Sequence, residues 1–479
     1  MRFPLVLLAA ILFLAPTAQA QKKKQKSIAP PATVIRMPVV RMDTLANGLR
    51  VIHCKVNDVP LAEVNVMIDA GVRREAVGEE GLAQFTNRLL FAGTATRTRA
   101  DIIANLSTLG AALSSFTNKE YAQVYLRSLT KNLPRSLEIL ADVCINPIFP
   151  ELEFKNESER LRRAQASQSP NPGELATLTL FRGLFGEAHP LARPLIGGMT
   201  ALGQLTKSDV AQFHRNTYRP ERTTIVIVGN IDSQTAFTLA RDRFGSWRSD
   251  PETTPTPVPE IQTTSENPEI RVHDEVDATY AQIRYGFRLP GRKHPLFVPF
   301  LLMNQILGGS SESRLFRKLW VEHPVMPSFY STLGLYVNDG YCILSGSAPA
   351  VRIDSVMFWI DESIRDMILR PPTENELERA KRELLRDREY LFSTNKKMQE
   401  QLIDAVIFGV TPAEIGDFGD AVQSVSAAKI QEAARAVFED KRRVVSIVGN
   451  AQAFLPALQL RYRGQVTVEA IPSAKGDME

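Results

Sequence analysis

The chain has 479 residues, of which 44% are hydrophobic and 23% are charged, a composition typical of globular proteins with large cores and not of disordered or fibrous chains. Its basic residues exceed its acidic residues by only four, and no basic stripe interleaved with aromatic residues is present, which argues against a nucleic-acid-binding protein. Cys54, Cys144 and Cys342 lie in apolar segments without a Cys-x-x-Cys pattern, and we interpret them as buried residues that form at most one disulfide.

The first twenty residues have the pattern of a secretory signal peptide. A positive charge near the start precedes a short apolar run at residues 5–14, and Ala18-Gln19-Ala20 forms a small-x-small cleavage site, which predicts cleavage before Gln21. The apolar run is too short to span a bilayer as a helix. We therefore expect a periplasmic or secreted protein. Residues 21–38 are rich in lysine and then in proline, which predicts a solvated leader, with lipid or partner binding as the alternative.

Residues 39–248 are predicted to form the first folded half. Asn47-Gly48 between two short apolar runs predicts a β-hairpin, and residues 64–71 alternate between apolar and polar like a half-buried strand. A helix is predicted next and ends near Gly93, because apolar residues recur at helical spacing at Leu82, Phe85, Leu89 and Leu90.

That strand, a short polar loop and the helical segment Gly81-Leu82-Ala83-x-Phe85 to Gly93-Thr94 resemble peptidase family M16, the pitrilysin and mitochondrial-processing-peptidase relatives. In active members the helix carries His-x-x-Glu-His, in which two His four residues apart face one zinc and the Glu acts as base. Gln84, Asn87 and Arg88 stand at these three positions here. A guanidinium stays protonated and has no lone pair to give to a metal.

The family's third zinc ligand is a Glu on a later helix, and the resemblance places Ala164 at that position. A slip by one turn would offer Glu157 or Glu159 instead, but a single carboxylate does not make a zinc site. The chain also has no local pair of His residues, since even neighbours such as His189 and His214 are 214 − 189 = 25 positions apart. We therefore predict no metal site and no cofactor in this chain, with zinc expected in a partner chain.

Residues 112–117 and 121–126 are predicted to form two paired strands. In active relatives the strand that corresponds to Ser114, Ser115 and Phe116 lies at a sheet edge and pairs with the substrate backbone. Such pairing needs free backbone groups and no particular side chain. The resemblance therefore implies a peptide-binding role for these three residues, with an ordinary covered strand as the alternative.

The remainder of the chain repeats the first half. Residues 249–268 are rich in proline and threonine and predict a linker, after which residues 269–462 echo the first half and residues 463–479 form a polar tail. In one continuous register Thr206, which is predicted to cap the start of a helix, aligns with Ser426, and the strand at Gly229 aligns with the strand at Gly449. We predict an α+β protein of two tandem homologous halves with the LuxS-like metalloenzyme fold of family M16, each an antiparallel sheet packed with helices.

The second half carries another family landmark, Leu307-Gly308-Gly309 followed by Ser313-Arg314-Leu315-Phe316. In relatives the next turns supply an Arg and a Tyr that hold the substrate carbonyl near zinc. Trp320 and Pro327 stand at those positions here, and neither side chain can do that work, although a local insertion would bring Tyr330 to the Tyr position.

These patterns imply a non-catalytic M16-family subunit that is exported and pairs with a zinc-bearing M16 partner to complete a peptide-binding and processing chamber. The alternative is a stand-alone scaffold or peptide-binding protein, as with the M16-like core proteins of the cytochrome bc1 complex. A third interpretation is an active zinc peptidase with unrecognised ligands.

Overall fold

The computed structural model describes residues 39–470, apart from 57–58, 167–170, 198, 262–267, 327, 391–393 and 440–441. The predicted signal peptide and leader, part of the linker and the last nine residues lie outside this range. No helix in the described part of the chain combines the length and apolarity needed to cross a bilayer.

The described chain contains two sheets of six strands each. The first has the order β1-β2-β6-β3-β5-β4 and is built from Val40–Thr44 (β1), Arg50–Lys55 (β2), Leu61–Ile68 (β3), Ala112–Thr117 (β4), Ala122–Leu129 (β5) and Thr223–Gly229 (β6). The second has the order β12-β7-β11-β8-β10-β9 and is built from Glu269–Asp274 (β7), Tyr280–Pro290 (β8), Ser328–Leu335 (β9), Asp339–Pro349 (β10), Val444–Gly449 (β11) and Val466–Glu469 (β12).

The α+β architecture with two similar halves is confirmed, but the sheets are mixed and not wholly antiparallel. β2 runs parallel to β6, and β7 runs parallel to both β11 and β12. Each parallel pair is joined through most of one half of the chain, which is the long crossover that a parallel connection requires. A sequence pattern of buried strands does not distinguish this arrangement from an antiparallel one.

The outermost strand differs between the two sheets. In the first sheet β1 forms a hairpin with β2 through Asn47-Gly48, where Gly48 takes φ 85° as the turn requires. In the second sheet the outer strand is Val466–Glu469, which comes from the end of the chain and pairs with β7. The polar tail predicted from residue 463 therefore contains a paired strand up to residue 469.

The helices of the first half are Leu82–Leu89 (α1), Arg99–Leu109 (α2), Leu133–Ile145 (α3), Glu151–Ala166 (α4), Pro172–Phe185 (α5), Met199–Gln204 (α6), Lys207–Thr217 (α7) and Ser233–Phe244 (α8). Those of the second half are Phe297–Leu307 (α9), Arg314–Phe316 (α10), Ile353–Leu369 (α11), Glu374–Tyr390 (α12), Asn395–Phe408 (α13), Pro412–Gly416 (α14), Phe418–Ser424 (α15), Ala427–Phe438 (α16) and Leu455–Arg461 (α17). A π-helix, Arg317–Glu322, follows α10 directly.

The internal repeat predicted from the sequence appears at the helix starts. Thr206 caps α7 with its side chain, and Ser426, its counterpart in the repeat, caps α16 in the same way. Each of these helices leads into a fully buried central strand, β6 in one half and β11 in the other.

The two halves exchange one helix each across the sheets. α13 belongs to the second half, yet its Met398, Leu402 and Ile403 pack against the first sheet. The amide of Gln399 on this helix donates to the carbonyl oxygen of Val226 on β6 at 3.1 Å. Conversely, α5 belongs to the first half and packs against β8 and β11 of the second sheet. One face of each sheet is therefore covered by chain from the other half.

Two glycines permit the close approach of α5 to the second sheet. A Cβ atom on Gly286 of β8 would lie 2.7 Å from Cδ1 of Leu184, and one on Gly183 of α5 would lie 2.7 Å from Cγ1 of Val444. Any larger residue at either position would separate the helix from the sheet.

The predicted linker is attached to the first half. The guanidinium of Arg74 donates to the carbonyl of Thr256 at 2.8 Å, and that of Arg219 donates to the carbonyl of Thr253 at 2.8 Å. Nε2 of His189 lies 3.1 Å from the carbonyl oxygen of Pro259. The three cysteines are buried and unbridged.

Candidate functional site

Helix α1 carries the three positions at which the active relatives have zinc-binding or catalytic residues. Its N-terminus is held by the buried carboxylate of Glu75, whose Oε1 accepts the backbone N–H groups of Gly81 at 3.1 Å and Ala83 at 2.8 Å. Burial raises the pKa of Glu75 to about 8, although these two N–H groups oppose the shift. The apolar side of the helix, at Leu82, Phe85 and Leu89, enters the core of the first half.

Asn87 fastens α1 to the edge of the first sheet. Its Nδ2 donates to the carbonyl oxygen of Phe116 at 2.8 Å and to Oγ1 of Thr117 at 2.9 Å, and lies 3.3 Å from the carbonyl oxygen of Gln123. Its Oδ1 accepts from the hydroxyl of Tyr218 at 3.4 Å. Asn87 is buried, and both ends of its amide are occupied by these contacts. A carboxylate at this position would face two carbonyl oxygens instead of donating to them.

Arg88 pairs with a carboxylate from α4. Its Nη1 lies 3.5 Å from Oε1 of Glu157, which is also held by Arg160 at 2.6 Å. Glu159 points the other way and pairs with Arg163 at the surface, where its side chain is 65% exposed. Of the two carboxylates that the sequence offered as alternatives to Ala164, only Glu157 therefore faces α1.

The residues at this place do not fit a zinc ion. Arg88 holds a fixed positive charge where the dication would sit, and the Asn87 amide nitrogen donates hydrogen bonds and so cannot ligate. Oε1 of Gln84 is buried without a hydrogen-bond partner within the described chain, and an amide oxygen is a weak zinc ligand. Ala164, on α4, offers a methyl group only. Across the described residues, no group of three or more His, Cys, Asp and Glu side chains is arranged to hold a metal.

Ser114, Ser115 and Phe116 lie on β4, which is the edge strand of the first sheet. Among the described strands β4 pairs only with β5, so its outer edge is free of strand partners. The Phe116 side chain is 53% exposed. The three residues line a cavity of about 480 Å³ between the inner face of the first sheet and α13. Their peptide-binding role stays a prediction, but the strand has the position that the role requires.

The second half supplies the charged wall of this cavity. Lys396, Glu400 and Asp404 on α13 face Asn65, Gln123 and Tyr125 on the sheet. Neither the Glu400 nor the Asp404 carboxyl has a hydrogen bond or ion pair to another described residue, although Arg292 is near enough to attract the charge of Asp404. Nearby, burial raises the pKa of the Glu63 carboxyl, against the opposing effects of the Tyr125 hydroxyl and Arg127. The sequence gives no local signal for this wall, because α13 reaches the first sheet from the other half of the chain.

The second family signature has a structural function here. Arg314 pairs with Glu376 at 2.7 Å and with Asp366 at 2.9 Å, which joins α10 to α11 and α12. Although burial acts to raise it, the pKa of Glu376 is held at about 2 by the hydrogen bonds from Arg314 and Thr373. The ion pair between Arg314 and Glu376 therefore stays charged across the neutral pH range.

The two positions that follow this signature lie outside α10. Trp320 lies on the π-helix with 48% of its surface exposed. Pro327 lies outside the described residues. Tyr330, considered as a replacement, lies on the edge strand β9 and is 52% exposed.

Comparison with known proteins identifies both halves. A model described as "Insulinase (Peptidase family M16)" matches residues 50–197, and a model described as "Peptidase M16 inactive domain" matches residues 204–384. A protein of Mycobacterium leprae that is named as an uncharacterized zinc protease is 29% identical over 362 residues, which cover 76% of this chain and 80% of that protein. The mitochondrial-processing peptidase subunit beta of Lentinula edodes is 26% identical over 429 residues, covering 86% of this chain and 90% of that one.

A solved structure has the same fold. The peptidase M16 inactive domain from Pseudomonas fluorescens superposes with a TM-score of 0.78 over 86% of this chain and 98% of that chain, at 22% sequence identity. At that identity the likeness is one of fold alone.

Proposed function

This chain belongs to peptidase family M16, and from that premise we propose that it is an exported, non-catalytic subunit that pairs with a zinc-bearing M16 chain. In this arrangement it contributes peptide-binding surface and part of the wall of a processing chamber, and the partner contributes the zinc and the hydrolysis. The proposal separates two properties that an active M16 chain combines, substrate binding and metal chemistry.

The observation that carries the proposal is the set of hydrogen bonds made by Asn87. An active chain needs a carboxylate at this position to activate the zinc-bound water. Here the amide donates to the carbonyl of Phe116 at 2.8 Å, so the position contributes to holding the edge strand and supplies no base. Arg88, paired with Glu157, excludes a cation from the neighbouring position.

The names of the relatives support both an active and an inactive interpretation. The Mycobacterium leprae relative is called a zinc protease, whereas the solved structure from Pseudomonas fluorescens is called an inactive domain. At 29% identity or less, a name does not transfer a ligand set. The side chains that stand at the zinc-ligand positions of this chain are therefore stronger evidence than the names of its relatives. They favour a non-catalytic protein over a zinc peptidase with unrecognised ligands.

Pairing is supported by the relative from Lentinula edodes, which is named as a subunit of a peptidase. Peptide binding is supported by β4, whose outer edge can add a strand, and by the adjoining cavity of about 480 Å³. The unpaired carboxylates of Glu400 and Asp404 in that cavity favour a bound peptide that carries a basic side chain.

A second candidate function is a stand-alone peptide-binding protein. The observation that favours it is that α13 of the same chain forms one wall of the cavity beside β4, through Gln399, Glu400 and Ile403. Peptide capture by strand addition at this place needs no second protein.

The test is metal content and peptidase activity of the purified mature chain, alone and mixed with an M16 chain that co-purifies with it. We expect no stoichiometric zinc and no cleavage by the chain alone, and cleavage gained or increased in the mixture. The matched control is the same mixture with the partner stripped of its zinc, which should be inactive. Stoichiometric zinc with cleavage by the chain alone would overturn the proposal.

A binding measurement separates the two candidates. Phe116→Ala leaves the backbone groups of β4 in place but removes an apolar side chain from the wall of the adjoining cavity, so it should weaken peptide binding. Ile103→Ala, which removes a similarly exposed apolar side chain on α2, should not. Peptide binding that depends on Phe116, without any partner and without a gain in cleavage on mixing, would favour the stand-alone function.

A further inference from the structure

A second cavity, of about 370 Å³, lies beside the first one, between the first sheet and the end of α13. Its polar wall comes from the starts of β2 and β6 and the end of β3, with Arg50, Asp69, Arg73 and Arg222. This cavity is not part of the site at α1 and β4, although Tyr121 lines both cavities.

One carboxylate in this wall holds three guanidinium groups. Asp69 accepts from Arg73 at 2.9 Å, from Arg74 at 2.6 Å and from Arg222 at 2.7 Å. Although burial acts to raise it, these three arginines lower the pKa of Asp69. Burial and repulsion from Arg74 and Arg73 lower the pKa of Arg222, against the attraction of Asp69. The cluster is therefore richer in positive than in negative charge.

The other charges of the wall do not remove this excess. Glu120 contacts Arg73 and also accepts the backbone N–H of Val337 at 3.2 Å. Glu221 is paired with Arg219, which lies behind the wall, at 2.6 Å. The Arg50 side chain is exposed, and its guanidinium has no hydrogen bond or ion pair to any residue that the structure describes. Counted together with the residues just outside the wall, five guanidinium groups stand against three carboxylates: those of Arg50, Arg73, Arg74, Arg219 and Arg222 against those of Asp69, Glu120 and Glu221.

The opposite wall is apolar and comes largely from the second half. Val406 and Ile407 at the end of α13 and Val337 at the tip of the β9–β10 hairpin face Met67 of β3. A ligand that fills this cavity therefore meets arginines on one side and aliphatic side chains on the other. The volume lies in the lower range of small-ligand sites.

We propose that this cavity binds a carboxylate carried on a small apolar body, with the carboxylate held by Arg50 and Arg222 and the body against Val406 and Ile407. Guanidinium groups bind carboxylates through paired, charge-assisted hydrogen bonds, and a site with excess arginine gains when a further anion enters. Two sources have this chemistry: the C-terminus of a peptide that ends in an aliphatic residue, and a free aliphatic acid. The proposal is independent of pairing with a zinc-bearing partner.

The test is calorimetric titration of the full mature chain with three probes. They are the peptide acetyl-Ala-Ala-Leu with a free carboxylate, the same peptide as its C-terminal amide, and hexanoate. We expect saturable binding of the free-acid peptide and binding at least about tenfold weaker for the amide, because the amide lacks the charge that the arginines pair with. Hexanoate that binds as well as the peptide would assign the site to free aliphatic acids, and hexanoate that binds much more weakly would assign it to peptide C-termini.

Arg50→Gln is the informative variant, because Arg50 is exposed and holds no other residue in place. It should weaken binding of the free-acid peptide about tenfold. Arg41→Gln, which removes an exposed arginine from β1 outside the cavity, is the matched control and should leave binding unchanged. Phe116→Ala should also leave it unchanged, which distinguishes this cavity from the edge of β4. Absence of saturable binding by both carboxylates, or equal binding by the Arg50→Gln variant, would overturn the proposal.

Discussion

Asn87 and Asn304 make the same kind of hydrogen bond in the two halves of the molecule. Nδ2 of Asn87 on α1 donates to the carbonyl of Phe116 on the edge strand β4 at 2.8 Å, and Nδ2 of Asn304 on α9 donates to the carbonyl of Ser331 on the edge strand β9 at 3.3 Å. Each half thus uses an asparagine on a core helix to fix its edge strand. In the first half this contact occupies the position where active relatives have their catalytic Glu.

The first prediction concerns the stability that Asn87 contributes. Asn87→Ala removes the donor to Phe116 and Thr117 and leaves buried acceptors unpaired, so we expect a loss of about 1–3 kcal/mol in the free energy of unfolding. Urea denaturation measures it. Asn105→Ala, at an exposed position on α2, is the control and should change little. An Asn87→Ala protein as stable as the wild type would show that these hydrogen bonds contribute nothing.

The second prediction concerns a restored metal site. In a Gln84→His, Arg88→His double variant, two imidazoles four residues apart on α1 face the same side, and the carboxylate that now pairs with Arg88 becomes a third donor. We expect the variant to retain about one zinc per chain after dialysis, measured by elemental analysis. It should not cleave peptides, because Asn87 is not a base.

The source of the third ligand can be tested in that background. Adding Glu157→Ala should abolish zinc retention, whereas adding Glu159→Ala should not, because Glu159 is 65% exposed and pairs with Arg163. Zinc retained equally in both triple variants would mean that α4 does not supply the ligand.

Much of the fold was predictable because its signals are local. The hairpin at Asn47-Gly48 and the side-chain caps at Thr206 and Ser426 depend on residues within one turn of each other, and the structure confirms all three. The exchange of α5 and α13 was not predictable, since an apolar helix face shows that the helix is covered but not what covers it. The parallel pairing of β2 with β6 was missed for a similar reason: β6 is parallel to β2 and antiparallel to β3, and its continuous apolar sequence shows that it is buried but not how each neighbour runs.

The candidate site, like the fold, was predictable only in part. The loss of the zinc-binding side chains at Gln84 and Arg88 could be predicted from the motif alone. What the replacements do could not, because Asn87 contacts Phe116 and Tyr218, which are distant in the sequence. The choice between Glu157 and Glu159 likewise depends on how α4 is rotated against α1.

The third prediction concerns pH and Glu75. Burial raises the pKa of this carboxyl to about 8 in the folded chain from a usual value of 4.5. The folded state therefore binds this proton more tightly than the unfolded state does. The contribution of the bound proton to the free energy of unfolding is full below about pH 4.5 and is lost as the pH rises towards 8. The slope should be at most about 1.4 kcal/mol per pH unit.

Glu75→Gln should remove this slope, because Gln keeps an acceptor for Gly81 and Ala83 and carries no charge. The difference in unfolding free energy between variant and wild type should therefore move in favour of the variant from pH 5 to pH 8, measured by urea denaturation at several pH values. Glu187→Gln, at a carboxylate that is 75% exposed, is the control. A difference that is constant with pH would show that Glu75 does not titrate in this range.

The fourth prediction concerns the exchanged helix α13. Residues 39–248 alone lack this helix, so Ile52, Met67 and Val226 on the inner face of the first sheet lose their cover. We expect this fragment to aggregate when produced alone and to become soluble when produced together with residues 249–479, with the two fragments purifying as one complex. The reason is that an uncovered apolar sheet face of this kind drives association.

A point variant tests the same contact in the intact chain. Leu402 is buried between α13 and the first sheet, so Leu402→Asp places a charge in that interface and should lower the unfolding free energy by roughly 3 kcal/mol or more. Leu460→Asp, at a leucine on α17 that is 69% exposed, should cost little and serves as the control. A soluble, cooperatively folded fragment 39–248, or equal stability of the two variants, would show that the halves fold independently and that α13 only rests on the sheet.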